Sequence, residues 1–250
     1  MDEQTKRNKI RKYFKPFPKW AIWMILIGVV ILLVGTQAGA GAVVVGLLVA
    51  GIGGFGVYSY GQGKATDQEM DQFLNEDLIA LGRHGLNKVG VDATELVGEP
   101  VQVTGFPRNI SGAEFHHRRG KDNIIRFTPT QATLIFFTQN QLVAYSCAYD
   151  STTGKPLNES TEEYFYRDVV AVSTKTTSVS LDLGKEVGKI QATAAEEFTL
   201  TTSGGTSISV VLRDASLVQR LGGGDLPTTR AENAVQNVRR MLRDKKAANV

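Results

Sequence analysis

Residues 20–60 carry no Asp, Glu, Lys or Arg. Such a stretch is about twice the ~20 apolar residues that one bilayer-spanning helix needs. It divides naturally. Residues 20–34 read WAIWMILIGVVILLV, followed by Gly35, Thr36 and Gln37, and residues 38–58 form a second apolar run. Hydrocarbon offers no hydrogen-bond partners, so each run must satisfy its own backbone as a helix. The short turn at Thr36 and Gln37 predicts an antiparallel transmembrane hairpin with both ends on one side. Ala42, Gly46, Ala50 and Gly54 recur every fourth residue. Small residues at this spacing let helix backbones approach closely. The ridge is expected to pack either on the first span or between protomers. No ionisable residue interrupts either span, which argues against a proton relay built from the hairpin alone.

Seven Lys or Arg fall within residues 1–19 and none between the spans. The positive-inside rule therefore puts the N-terminus, and the rest of the chain with it, in the cytoplasm at the inner membrane. Tyr13, Phe14, Phe17, Trp20 and Trp23 fit an interfacial aromatic belt, and the basic arm is suited to anionic headgroups. A cleaved signal peptide is the competing reading, because Ala38, Gly39 and Ala40 look like a cleavage site. The residues beyond that site continue as another apolar span. The arm carries a net charge of +5, from seven basic residues less Asp2 and Glu3. The net +3 of the whole chain leaves −2 for residues 20–250. The basic balance thus belongs to the arm and gives no reason to expect nucleic-acid binding.

Residues 61–64 are a short polar linker. Thr66 and Glu69 make a capping box, and Met70, Phe73, Leu74, Leu78 and Leu81 follow at helical spacing. The spacing predicts an amphipathic helix ending near Gly82, packed on the body or paired with its copy. From about residue 101 the pattern becomes short β-type runs at 124–128, 132–137, 142–149, 164–173, 178–183, 197–202 and 207–212. Turn-forming clusters at 138–140, 151–158 and 203–205 separate them. Thr229 and Glu232 then form a second capping box. Ala231, Ala234, Val235, Val238, Met241 and Leu242 share one helical face, and Arg239, Arg240, Arg243, Lys245 and Lys246 load the C-terminal half, favourably for the helix dipole.

ATLIFFTQNQLVAYS (132–146), YFYRDVVAVST (164–174) and FTLTTSGGTSISVVL (198–212), closed by that helix, resemble the pleckstrin-homology superfold in the style of bacterial PH-like and GRAM domains. The resemblance implies a membrane α-hairpin followed by an α+β soluble domain. Its β part would be a seven-stranded, bent antiparallel barrel capped by the C-terminal helix. Such domains bind lipids, peptides or partner proteins. The implied organisation is a basic arm at 1–19, a hairpin at 20–60, a linker, helix and connecting region at 61–122, and a PH-like domain at 123–250.

The most charged local feature is His116, His117, Arg118, Arg119 and Lys121, with Arg108 and Arg126 nearby. Basic clusters recognise phosphate or carboxylate groups, so Arg108, His116, His117, Arg118, Arg119 and Lys121 are the candidate anion- or lipid-binding set, with a solvated loop as the competing reading. His84, His116 and His117 do not have metal-ligand spacing, and the single Cys147 lies in an apolar run. No phosphate-binding glycine loop or nucleophile motif is present. Gly222, Gly223 and Gly224 read as a flexible link. Glu162, Glu163, Asp168, Glu196 and Glu197 read as a solvated face rather than as an acid/base pair. No cofactor, metal or catalytic residue is expected. The expected function is a membrane-anchored binding or scaffold protein, partnered by the bilayer and by itself or a membrane complex. The alternatives are an anionic-lipid sensor and a small subunit of an oligomeric channel or transporter.

Overall fold

The computed structural model describes residues 1–110, 112–213, 215–226 and 231–248. The chain forms two compact units, Met1–Thr66 and Asp67–Val250.

The first unit is three helices. The basic arm is itself helical: α1 (Glu3–Phe14) is capped by Asp2, whose carboxylate accepts from the Thr5 amide at 3.1 Å. Lys6 and Arg7 are buried, with Ile10, Tyr13 and Phe14. Fewer basic side chains of the arm therefore face outward than an extended arm would present. Pro16 and Pro18 break the helix, since neither can donate to the helical ladder, and the axis turns by 62° before α2 (Lys19–Ala38). After Gly39, at φ +106°, comes α3 (Ala40–Gly61). Its 22 residues span about 33 Å at 1.5 Å per residue. This helix is long and apolar enough to cross a membrane, and the apolar part of α2 joined to α1 is a second candidate.

The α2–α3 contacts run antiparallel: Gly35 meets Ala42, Gly28 meets Ala50, Gly46 meets Leu32 and Gly28, and Gly53 meets Ala21 and Ile25. A Cβ on Gly28 would lie 2.5 Å from the Ala50 nitrogen. Three residues of the expected ridge, Ala42, Gly46 and Ala50, thus face α2. Gly54 does not, as a Cβ there would meet nothing within 4 Å. The reason is helical pitch. At 3.6 residues per turn, each four-residue step drifts about 40°, so by the fourth member the row has left the contact. Gly53 takes its place.

In the second unit, α4 (Asp67–Val89) begins just after Thr66 and continues past Gly82. Gly85 does not stop the helix. Its missing side chain admits the Tyr145 ring, 3.0 Å from where a Cβ would sit. A short 3-10 turn (Ala93–Glu95) follows. The strands are β1 (Val101–Gly105), β2 (His116–Arg119), β3 (Ile125–Thr128), β4 (Thr130–Phe137), β5 (Gln141–Asp150), β6 (Lys155–Phe165), β7 (Val169–Asp182), β8 (Lys189–Thr202) and β9 (Ser207–Arg213). Helix α5 (Gly184–Val187) links β7 to β8, and α6 (Ala215–Arg220) and α7 (Ala231–Ala248) end the unit. The capping box at Thr229 and Glu232, and the side chains of Ala231, Ala234 and Lys246, lie outside the described residues.

Pairing between the strands is antiparallel, in sheets ordered β1-β4-β5-β6, β2-β3 and β7-β8-β9, and isolated parallel bridges join Asn109 to Asp182 and Ile124 to Asp225. The class is α+β, and the described residues form no closed barrel. The four- and three-stranded sheets meet where the Phe106 amide donates to the Val211 carbonyl at 2.9 Å. A Cβ on Gly105 would lie 2.0 Å from that carbonyl oxygen, so the crossing requires glycine. The main core lies between these two sheets and α7. Val103, Ile135, Leu142, Tyr166, Phe198 and Val210 pack there, with Val235, Val238 and Leu242 of α7 closing one side. A second cluster around Phe115, Ile125, Leu181 and Ile190 roots the β2–β3 hairpin. Leu78 and Leu81 of α4 cover Leu134, Phe136 and Tyr145 on the other face of the four-stranded sheet.

Two strand boundaries depart from the sequence pattern. Residues 155–163, expected partly as turn, belong to β6, and the runs at 164–173 and 178–183 resolve into the end of β6, a turn and one long β7. Sheet formation also begins ahead of residue 123, with β1 beside β4.

Candidate functional site

The candidate basic set is dispersed by the fold. Strand alternation turns His116 and Arg118 to one face of β2 and His117 and Arg119 to the other. His116 lies 3.8 Å from the Glu114 carboxylate, and the His117 ring rests 6.0 Å from that of Phe115. Arg119 donates to the Gly222 carbonyl at 3.1 Å, and the Lys121 amide donates to Asp67 at 2.8 Å. Arg108 is on the other side of the Phe106 crossing, where it pairs with Glu197 and Ser209 at a cleft of about 360 Å³. Arg126 is buried among carboxylates. It donates twice to Asp71 at 2.7 Å and to Asp122 at 2.7 and 3.0 Å, with Asp67 3.8 Å away. The Arg126 hydrogen bonds hold the Asp122 carboxyl down at about 2. A Cβ on Gly120 would strike this cluster, 2.5 Å from Arg126 Nη1.

Glu197 is not part of a solvated face. It is buried, with Arg108, Ser209 and Lys175 as partners. No local pattern signals this, because Arg108 is far away along the chain. A related clamp joins α4 to the sheet. Glu159 of β6 accepts from Tyr145 at 2.8 Å and from Lys88 at 3.1 Å, and its carboxylate lies 2.8 Å from His84 Nε2. Burial works against its charge, yet hydrogen bonds from His84, Tyr145 and Lys88 outweigh that and hold the carboxyl at about 2. Burial pushes the Tyr145 hydroxyl far up and the Cys147 thiol up to about 11. These groups fasten α4 to the sheet. Among the described residues, no grouping of His, Cys, Asp or Glu could hold a metal ion.

Among the described residues, β7 is the terminal strand of its sheet, and its outer edge is open over residues 169–178, while at its far end Asp182 bridges to Asn109. Residues 169–178 read VVAVSTKTTS, nearly all β-branched or small, with Lys175 the only charge. Val170 is 60% exposed. A groove of about 300 Å³ runs between residues 169–172 and α7, lined also by Arg239, Leu242 and Arg243. Arg239 donates to the outward Val172 carbonyl at 3.0 and 3.3 Å. Native edge strands are normally short, charged, bulged or covered. This one is long and largely uncharged, it is bulged between Val169 and Ala171 and between Thr177 and Val179, and the cations beside it come from α7. Sequence reading missed Arg239 and Arg243 as site residues; their signal was the basic loading of the last helix next to an exposed valine run. The four-stranded sheet has its own open edge at β6, where Ser160, Thr161, Glu162 and Glu163 are exposed.

No protein-family model, curated protein or solved structure matches this chain.

Proposed function

We propose that the chain is a membrane-anchored binding protein. The N-terminal helical hairpin holds it in the cytoplasmic membrane, and the α+β unit is a PH-like module presented on the cytoplasmic side to a protein partner. The observation that carries the anchor is the outward face of α2 and α3. Leu33, Val34, Leu47, Leu48, Ile52 and Phe55 are exposed, on two helices without a charge over residues 20–60. Water does not tolerate an apolar surface of that continuity. Trp20, Trp23, Phe17 and Tyr58 are exposed toward one end of the hairpin, beside Lys15 and Lys19, as interfacial anchors are.

The PH-like reading is supported by four plus three antiparallel strands, β1-β4-β5-β6 and β7-β8-β9, sharing one core with a C-terminal helix. The β2–β3 hairpin is then an insertion between the first and second strands of that plan. A binding role is favoured over lipid sensing because the uncovered surface is a strand edge. The basic set, by contrast, is divided between two faces of β2, with Arg108 and Arg126 committed to carboxylates. The test is fractionation of cells expressing the full chain or residues 67–250. The full chain should stay in the pellet through alkaline carbonate washing, while the fragment should be soluble. Release of the full chain by carbonate would sink the anchored reading.

A further inference from the structure

The two open strand edges of this unit carry opposite charge. The β6 edge presents Glu162 and Glu163. Arg239 and Arg243 flank the β7 edge, together with Lys175, 3.8 Å from Glu197, and Arg167, 82% exposed at the start of the strand and 3.8 Å from Asp168. We propose that copies of this chain associate head to tail, with β6 of one copy laid along β7 of the next, so that its glutamates meet the basic rim and its backbone completes the open ladder. The proposal rests on the anchored-binding reading and names the partner as a second copy.

Three physical points favour that occupant. An edge-to-edge ladder uses main-chain hydrogen bonds; the Val172 carbonyl faces outward and is held by Arg239, whose guanidinium an incoming strand would displace toward its own glutamates. Like edges repel, β7 with β7 through its cations and β6 with β6 through its glutamates, so the opposite pairing is selected by charge. The contact is also heterologous, and a rotation that closes it makes a ring. Chains anchored in one orientation in a bilayer can form such a ring only about the membrane normal. A single strand pair is a small interface, below the ~1,000 Å² expected of stable soluble complexes. Confinement to the membrane raises the effective concentration enough for a weak contact to be occupied.

The test uses full-length protein in phosphatidylcholine vesicles, with donor- and acceptor-labelled copies and energy transfer as the readout. Two variants are made: E162K/E163K and R239E/R243E. The wild type should show transfer well above that of an unrelated single-helix anchor at the same surface density. Each variant alone should weaken association by about tenfold or more, since like charges then face each other. An equal mixture of the two should recover it, which misfolded variants could not do. Wild-type transfer should also fall in 1 M salt, where the screening length is about 3 Å. Wild-type transfer at the level of the unrelated anchor would overturn the proposal. So would transfer that survives either reversal, which would place the contact elsewhere. Both results would leave anchorage standing. Flotation of the vesicles, run first, tests anchorage separately, and a chain that does not float overturns both readings.

Discussion

Replacing Glu159 should loosen α4 from the sheet by an amount the geometry sets. The carboxyl lies at about 2 instead of 4.5. At about 1.4 kcal/mol per pK unit this is roughly 3 kcal/mol of preference for the charged form in the folded state. His84 and Lys88 are about half exposed, so solvent screening reduces the realised stability to about 1–2 kcal/mol. Glu159→Gln keeps an acceptor for the Tyr145 hydroxyl and should cost about that much at pH 7. Glu159→Leu also strands the hydroxyl of a fully buried tyrosine, which adds about 1–3 kcal/mol. Adding Tyr145→Phe to Glu159→Leu should return most of that second loss, so the double-mutant cycle is non-additive by about 1–2 kcal/mol. The folded carboxyl lies below its unfolded value, so its contribution is complete above about pH 5. It is lost as the pH falls from 4.5 toward 2. The gap between wild type and Glu159→Gln should narrow over that window. The assay is urea denaturation of the 67–250 fragment followed by far-ultraviolet circular dichroism, since both tryptophans, Trp20 and Trp23, lie outside it. A Glu159→Leu cost under about 0.5 kcal/mol, or strict additivity with Tyr145→Phe, would refute the clamp.

Arg126→Met leaves Asp67, Asp71 and Asp122 facing one another without their cation. A loss of about 2 kcal/mol is expected in the same assay, and the Asp122 carboxyl should climb from about 2 toward the ordinary range by NMR titration. In the hairpin, Gly28→Val drives a side chain into the Ala50 backbone and should lower thermal stability in detergent by about 1–3 kcal/mol, whereas Gly54→Ala, in open space, should change it little. Cys147, buried and with its thiol pushed up to about 11, should resist iodoacetamide at pH 8 until urea unfolds the protein.

What could be read from the sequence follows from the range of each physical cause. The uncharged stretch at 20–60 sets the two apolar helices because the requirement is local: length, apolarity and a self-satisfied backbone. The ridge through Ala42, Gly46 and Ala50 is legible for the same reason, and it fails at Gly54 only because helical drift accumulates over its length. The hairpins at 138–140 and 203–205 announce themselves through turn residues. By contrast, β6 is rich in Glu, Ser and Thr and open to solvent, so it lacks the apolar alternation by which a half-buried strand is recognised. Gly85 reads as a helix stop until the Tyr145 ring beneath it is seen. The Arg126 cluster and the pairing of Arg108 with Glu197 join residues far apart along the chain. No local pattern distinguishes those arginines from their neighbours at 118 and 119, so an apparent basic patch at 116–121 drew in side chains that the fold assigns to carboxylates. The groove between β7 and α7 depends on which strand ends a sheet, and that is a property of topology.

The most direct test of membrane anchorage is cysteine accessibility in intact cells, in a Cys147→Ser background. Single cysteines are placed at Gly41, just after the turn between α2 and α3, and at Ser203, in the β8–β9 turn. A membrane-impermeant maleimide should label the cysteine at 41 from outside. The cysteine at 203 should react only after the cells are opened. Labelling of 203 in intact cells, or of neither site until lysis, would contradict a hairpin that crosses the membrane and returns.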